Sequence, residues 1–512
     1  MEPRNRRIQT TNWNALELQG MSEPQQSGQN QVQNYIGGQW TDATGTDGMD
    51  VVNPATGETL SYVGFSTDGD VDEAVQHGQA AFNTWSQRPI EERIQPLFEL
   101  KQLLEEHLDA LAEVLVEEHG KTLDEARGEL RRGIENVETA CGMPTLMQAG
   151  HVENAAPNID ETAVRKPLGV FAAVTPFNFP GMIPLWFLPY AVASGNSFIL
   201  KPSERDPLTT KYMFELIDEA GFPDGVVQLV NGSVDTVDAL IEHDGIEGIS
   251  FVGSTPVAKT IYQKAAANGK RVQAQGGAKN HIVVSETADL EFAARKSVSS
   301  ALACSGERCL ANDVVCVEES VYGEFRDLVV DIAASQVVGY GLDEETDVGA
   351  LITPEHEERV RNYVETGVQE GANLVLDGRD VSVEGSEDGN FLGPCIFTDV
   401  TPDMVIAQEE IFGPVLSLMS VTDVDQGIEV LNSSDFGNAA SLFTGEGAEA
   451  RDFRHNAQAG NLAINAGTAA PMAFFHFGGQ KDSFFGDLHA QAEDVVRFYT
   501  DETVYIERWP DA

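Results

Sequence analysis

The sequence predicts an α/β protein in two units, each a parallel sheet covered by helices, with a short β segment attached. Three observations carry that expectation. From Leu168 to Glu286, short apolar runs bounded by Gly, Pro and Asn alternate with helical stretches; parallel βαβ units read this way. The same alternation resumes from about Thr287 to Ala470. At 512 residues the chain is also too long for one compact core, so two domains are expected.

The elements follow in chain order. Residues 1–30 are polar, rich in Gln, Asn and Ser, and without periodicity, which reads as a disordered segment. Short strands are expected at Tyr35-Ile36-Gly37-Gly38 and from Val51 to Gly57. A helix is expected to start between Thr67 and Asp70, with Val71, Val75, Phe82 and Trp85 inward. Leu97, Leu100, Leu104, Leu108, Leu111 and Leu115 recur at spacings of three and four, which predicts one long amphipathic helix. Another runs from about Leu123 to Cys141 and carries Arg127, Arg131 and Arg132. Strands are expected at 170–174, 197–200, 226–230, 248–252, 271–274 and 282–284, and helices at 184–193, 211–220, 234–242 and 256–267. A late apolar strand, Thr503-Val504-Tyr505-Ile506, has the form of a segment that adds to a neighbour's sheet.

Composition excludes several classes. Asp+Glu number 82 against 32 Lys+Arg, a net charge of −50 spread along the whole chain. Such self-repulsion destabilises a compact state at low salt, and about 1 M salt screens it by cutting the Debye length to about 3 Å. Adaptation to a salty cytoplasm is the simplest reading. Nucleic-acid binding needs a basic stripe, and none is present. The five cysteines are odd in number and irregularly spaced, which argues against a disulfide framework. With no Cys-x-x-Cys and no His-Glu-x-x-His, a metal site has no support. No apolar segment follows Arg4-Asn5-Arg6-Arg7, so no signal peptide is expected. The most apolar stretch, Ile183 to Ala193, is short and broken by Pro184 and Pro189, so no membrane span is expected and the location should be cytoplasmic.

Three motifs bear chemistry. Phe251-Val252-Gly253-Ser254-Thr255-Pro256 is a strand running through Gly-Ser into a helix start, where exposed N–H groups bind phosphate. Alone it is also an ordinary βα turn, and Gly-x-Gly-x-x-Gly is absent. Leu200-Lys201-Pro202-Ser203-Glu204 puts a lysine and a carboxylate at a strand's carboxyl end, where open α/β sheets bind ligands. A carboxylate there accepts ribose hydroxyls and repels a 2′-phosphate; the alternative is a solvated surface pair. Cys304-Ser305-Gly306-Glu307-Arg308-Cys309 places a cysteine beside Arg, an environment that activates thiolates, although a lone cysteine is more often a buried structural residue.

Together with Thr175-Pro176-Phe177-Asn178-Phe179-Pro180 and Glu409-Glu410-Ile411-Phe412-Gly413-Pro414-Val415, these motifs stand in one order along the chain. In that order the sequence resembles the aldehyde dehydrogenase superfamily over about residues 34 to 509. The resemblance implies an aldehyde-dehydrogenase-like fold of two Rossmann-type domains and a small β oligomerisation arm. Residues 31–147 and 166–276 would bind NAD, 277–471 would carry the thiol, and 148–165 with 472–509 would form the arm of a homotetramer or homodimer. It makes Cys309 the nucleophile and Asn178 the oxyanion-hole amide, acting with the Cys309 N–H. Lys201 and Glu204 would hold the adenine ribose, Ser254 the pyrophosphate, and Glu410 and Phe412 the nicotinamide ribose and ring. Thr175, Phe177, Arg205 and Gly253 fall within the same motifs and are expected at the cofactor.

One departure selects a branch. Hydrolytic members activate water with the Glu of Glu-x-Gly-Gly-Lys, but here the stretch reads Gln275-Gly276-Gly277-Ala278-Lys279. An amide accepts no proton at neutral pH, and general-base help is worth roughly 10²–10⁴-fold. A thiol needs less activation than water, so the departure points to coenzyme A as acyl acceptor; another base, Glu307 or Glu410, is the alternative. Neighbouring text, including Arg132-Gly133-Ile134-Glu135-Asn136, resembles the CoA-acylating methylmalonate-semialdehyde dehydrogenase branch, enzymes of valine and pyrimidine or inositol breakdown. That resemblance gives Arg132 and Arg308 to the substrate carboxylate, a role suited to bidentate guanidinium. Without it, Arg132 is one of several charges on a solvated helix face. The small-molecule partners expected are thus an aldehyde and CoA, with no nucleic acid and no membrane. The rival readings are a hydrolytic, CoA-independent dehydrogenase and, less favoured, a non-catalytic NAD-binding protein on the same fold.

Overall fold

The computed structural model describes residues 31–509, and the expectation for 1–30 lies outside them. Two large sheets organise the chain. The first runs in the order Phe484–Gly486, Arg271–Gln275, Ile246–Val252, Val170–Val174, Ser197–Lys201, Val227–Leu229, Asn34–Ile36, Gln39–Thr41. Its five middle strands are parallel and its edges antiparallel. The second runs Asn373–Leu376, Cys395–Thr398, Val415–Val421, Asn312–Glu318, Asn280–Val284, Ala439–Phe443, Asn461–Ile464, parallel except for its first strand. Separate apolar clusters cover the two faces of each sheet. Parallel strands buried on both faces read as continuous apolar runs, and this is why Val170–Val174 carries no alternation.

Several expectations are corrected. The leucine-periodic helix is two helices, Gln95–Glu106 and Leu108–His119, broken at His107, where φ is −102° and ψ 11°. The His107 ring bonds the Tyr212 hydroxyl at 2.9 Å, and Leu108 is left half-buried. Phe82 is likewise half-buried while Val71, Val75 and Trp85 are buried. The helix expected at 184–193 starts as a tighter turn, Ile183–Trp186, and continues as Leu188–Ser194; Pro184 and Pro189 withhold two N–H groups from a continuous ladder. The helix expected at 211–220 begins four residues earlier, at Pro207–Ala220, since proline is preorganised for a first helical turn. Gly37 and Gly38 form the turn of a hairpin rather than a strand end. The run at 282–284 belongs to the second sheet, not to the first pattern.

The tail is divided. Phe484–Gly486 extends the first sheet, and Thr500–Glu507 pairs along its length with Ile159–Pro167 of the same chain, which pairs in turn with His151–Ala156. No described helix is long and apolar enough to cross a membrane.

Candidate active site

The first sheet fills its strands outward from Val170–Val174: the chain steps to 197 and 227 on one side, then to 246 and 271 on the other. Ligands of open α/β sheets lie beyond the strand carboxyl ends at such a reversal. Thr175, Lys201 and Gly253-Ser254 stand there, each at or just past a strand end. The Thr175 hydroxyl is buried without a partner. Lys201 is 4% exposed and pairs with Glu204 at 2.7 Å. Burial opposes charge on Glu204, but Lys201 outweighs it and holds the carboxyl below its usual range. Arg205 is half-buried, and among the described residues its backbone N–H bonds Ser203 Oγ at 3.1 Å while its guanidinium makes no hydrogen bond or ion pair. Ser254 is the exposed N-cap of Thr255–Ala267 and spends no side-chain bond on capping. An idle hydroxyl over a helix N-terminus, a lysine–carboxylate pair and an orphaned buried hydroxyl fit the phosphates and riboses of a dinucleotide.

The thiol stands at the entry of the second sheet. Helix Leu290–Leu302 ends, and Cys304, Ser305 and Gly306 turn the chain with φ of 52°, 54° and 78°. A non-glycine residue in that region costs about 1–3 kcal/mol, so the surrounding structure must enforce the turn. Gly306 lies so close to the Gly413 backbone that no Cβ fits. The Cys309 carbonyl accepts from Asn280 Nδ2 at 2.9 Å and Asn438 Nδ2 at 2.7 Å. Two amides, one opening strand Asn280–Val284 and one just before strand Ala439–Phe443, thereby pin the thiol's backbone. Asn178, 3% exposed, donates one Nδ2 hydrogen to Glu307 O at 3.0 Å, and the amide's second hydrogen is available to a developing oxyanion.

The electrostatics are set by burial and three charges. Burial and the Glu410 carboxylate push the half-buried Cys309 thiol up to about 12, and Arg308 opposes them. The Arg308 guanidinium makes no hydrogen bond or ion pair among the described residues and lines a small cleft with Gly306, Glu410 and Phe412. Burial raises Glu410 to about 7, against the Ala278 N–H that its Oε1 accepts at 3.1 Å. Phe412, at φ 62°, packs its ring edge-on against Phe177 at 5.9 Å. At the end of Arg271–Gln275, Gln275 is buried and its amide donates to Phe477 O at 3.2 Å. Glu307 is fully buried and burial raises its carboxyl well above the usual range; Oε1 accepts the Ile352 N–H at 3.2 Å.

The profile of the aldehyde dehydrogenase family matches residues 40–504. The chain belongs to the aldehyde dehydrogenase family. Among its relatives, a malonate-semialdehyde dehydrogenase of Bacillus thuringiensis (strain Al Hakam) is 47% identical over 479 residues, 93% of this chain and 98% of that one. The crystal structure of methylmalonate-semialdehyde dehydrogenase from Oceanimonas doudoroffii is 43% identical with a TM-score of 0.93, covering 94% of this chain and 99% of its own. The NAD+ complex of an aldehyde dehydrogenase from Bacillus cereus is 30% identical with a TM-score of 0.89, covering 93% and 96%.

In this aldehyde dehydrogenase the sequence-derived residues fall into two groups. Arg308, Glu410 and Phe412 line one cleft, with Cys309 next in the chain after Arg308 and Asn178 bonded to Glu307 O, and Thr175, Lys201, Glu204, Arg205, Gly253 and Ser254 lie along the first sheet's carboxyl edge. Arg132 is not joined to Cys309 or Arg308 by any hydrogen bond or ion pair. Its guanidinium pairs with Glu135 at 2.6 Å and donates to the Pro471 carbonyl. Sequence reading missed Asn280 and Asn438, which hold the Cys309 carbonyl, and the buried Lys121 and Glu129 with the half-buried Glu125 behind the site. One signal was available: Thr122 and Glu125 have capping-box spacing, and the structure forms that box.

Proposed function

We propose that this chain is an NAD-dependent, CoA-acylating dehydrogenase of methylmalonate and malonate semialdehydes. Cys309 attacks the aldehyde carbon, and the oxyanion is received by Asn178 and the Cys309 N–H. Lys201, Glu204, Ser254, Glu410 and Phe412 would hold NAD, which when bound supplies the hydride acceptor. The acyl group then passes from the Cys309 sulfur to the CoA thiol, releasing the cysteine, and the carboxylate β to the carbonyl leaves as CO2 while its carbon takes up a proton, giving propionyl-CoA or acetyl-CoA. The observation that most supports this reading is Gln275: it takes the sequence place of the glutamate in the hydrolytic motif, and its buried amide is committed to Phe477 O. Arg308 supports it, an unpaired cation beside the thiol that suits a substrate carboxylate. Arg132 would join it after releasing Glu135.

The hydrolytic reading has one observation in its favour: Glu410 titrates near 7 and its charge is felt at Cys309. Product analysis separates the two. With CoA the expected product is acyl-CoA; without it, NADH stops after about one equivalent of enzyme, because water without a general base reacts roughly 10²–10⁴-fold more slowly. Undiminished turnover without CoA, yielding free acid, overturns the proposal.

We further propose a cytoplasmic, halophilic oligomer. The net charge of −50 predicts a thermal midpoint that rises steadily from about 0.1 M to about 2 M KCl, as screening shortens from about 10 Å. A midpoint that is flat or falls with salt contradicts this. Val152, Val504 and Ile506, exposed at 56%, 55% and 67%, give the three-stranded arm an apolar face suited to another copy.

A further inference from the structure

The turn between helices Leu108–His119 and Leu123–Cys141 grips both catalytic loops from behind. We infer that it is a positioning clamp that fixes the Cys309 loop against the oxyanion loop. The inference rests on the reading of Cys309 and Asn178 given above. One jaw is an ion pair with 0% exposure on both sides. The Lys121 ammonium donates to Glu129 Oε2 at 2.6 Å and to the Asn178 carbonyl at 2.7 Å, and lies 4.4 Å over the Phe179 ring. The other Glu129 oxygen accepts the N–H groups of Gly181 at 2.7 Å and Met182 at 3.1 Å. Three backbone groups within residues 178–182 are thereby tied to one pair.

The other jaw is Glu125. Its Oε2 accepts the Thr122 N–H at 3.0 Å, closing the capping box, while Oε1 reaches across to the Cys304 N–H at 2.7 Å. Cys304 opens the left-handed turn that delivers the thiol. Glu125 and Glu129 are one helical turn apart and so share a face. The first turns of one rigid helix therefore set the spacing between the nucleophile loop and the oxyanion loop. Stability alone does not explain the arrangement, because a buried ion pair is commonly no better than apolar residues of the same volume. What apolar residues cannot supply is the set of bonds to loop backbone.

The test uses Lys121→Met/Glu129→Gln, which frees the Asn178 carbonyl yet keeps an amide oxygen for Gly181 and Met182, and Glu125→Ala, which frees the Cys304 N–H. Glu125→Gln retains an acceptor. Single-turnover NADH bursts, KM for malonate semialdehyde and amide exchange read by mass spectrometry are compared. The double variant and Glu125→Ala should each lose about 10²-fold in burst rate, the effect of roughly 1 Å of misplacement, with KM unchanged. Exchange should rise only over 176–183 in the first and only over 302–310 in the second, and Glu125→Gln should recover the rate. Parent-like bursts in both variants overturn the inference. So does a loss that Glu125→Gln fails to rescue, or one accompanied by faster exchange throughout the chain, since the role would then be structural. A burst that survives Cys309→Ala marks failure of the underlying reading instead.

Discussion

Cys309→Ala should abolish NADH formation from malonate semialdehyde, a fall of at least about 10⁴-fold, while NAD still binds. Losing a covalent nucleophile removes the whole acyl-enzyme route, and effects on the order of 10⁴–10⁶ are usual for residues of that kind. The expectation is specific to this cysteine. Cys395 is buried in the second sheet with its thiol pushed up to about 11, first by burial, and Cys395→Ala should leave turnover in place. Cys309 is also held high, to about 12. Burial and the Glu410 carboxylate hold it there, and the Arg308 cation opposes them. Steady-state NADH release at saturating aldehyde, with NAD affinity followed by protein fluorescence, checks the prediction. Appreciable turnover by Cys309→Ala would remove the nucleophile from that position.

Asn178→Ala should lower kcat by roughly 10²–10³-fold with little change in KM, the cost of one oxyanion donor elsewhere. The aldehyde oxygen needs that N–H most when it carries charge, so the loss belongs to the transition state rather than to binding. The residue is 3% exposed and bonded to Glu307 O at 3.0 Å, so its amide is held in place before substrate arrives. Asn178→Asp should be no better, because a carboxylate repels the oxyanion it replaces a donor for. Initial rates over a range of aldehyde concentrations separate the two parameters. A rise in KM alone, with kcat kept, would assign Asn178 to ground-state binding.

The alternation of apolar runs and helices was legible because the parallel strands of the first sheet are bounded by Gly, Pro or Asn, and the strand at 170–174 and the helices at 123–141 and 234–242 coincide with those seen. The strand-end positions of Lys201 and Ser254 followed from the same reading. The break at His107 was not legible, since leucine spacing runs through it undisturbed and the ring's partner there, Tyr212, lies 105 residues away. Lys121, Glu125 and Glu129 were missed for a related reason. Charged residues at helical spacing resemble a solvated face, and these turn inward, Lys121 and Glu129 buried and Glu125 half-buried, because chain from 57, 52 and 179 residues away supplies their partners. Arg132 shows the opposite limit: the motif named it, but the partner its guanidinium now holds, the Pro471 carbonyl, lies 339 residues along the chain.

What everything else depends on is a covalent acyl group on one sulfur that CoA then removes. Intact-protein mass spectrometry with peptide mapping, after mixing with malonate semialdehyde and NAD and again after adding CoA, tests it most directly. The expected result is an acyl adduct confined to the peptide containing Cys309, persisting without CoA and discharged as acyl-CoA when CoA is added. An adduct on another side chain, or turnover with no adduct at any time, would contradict it.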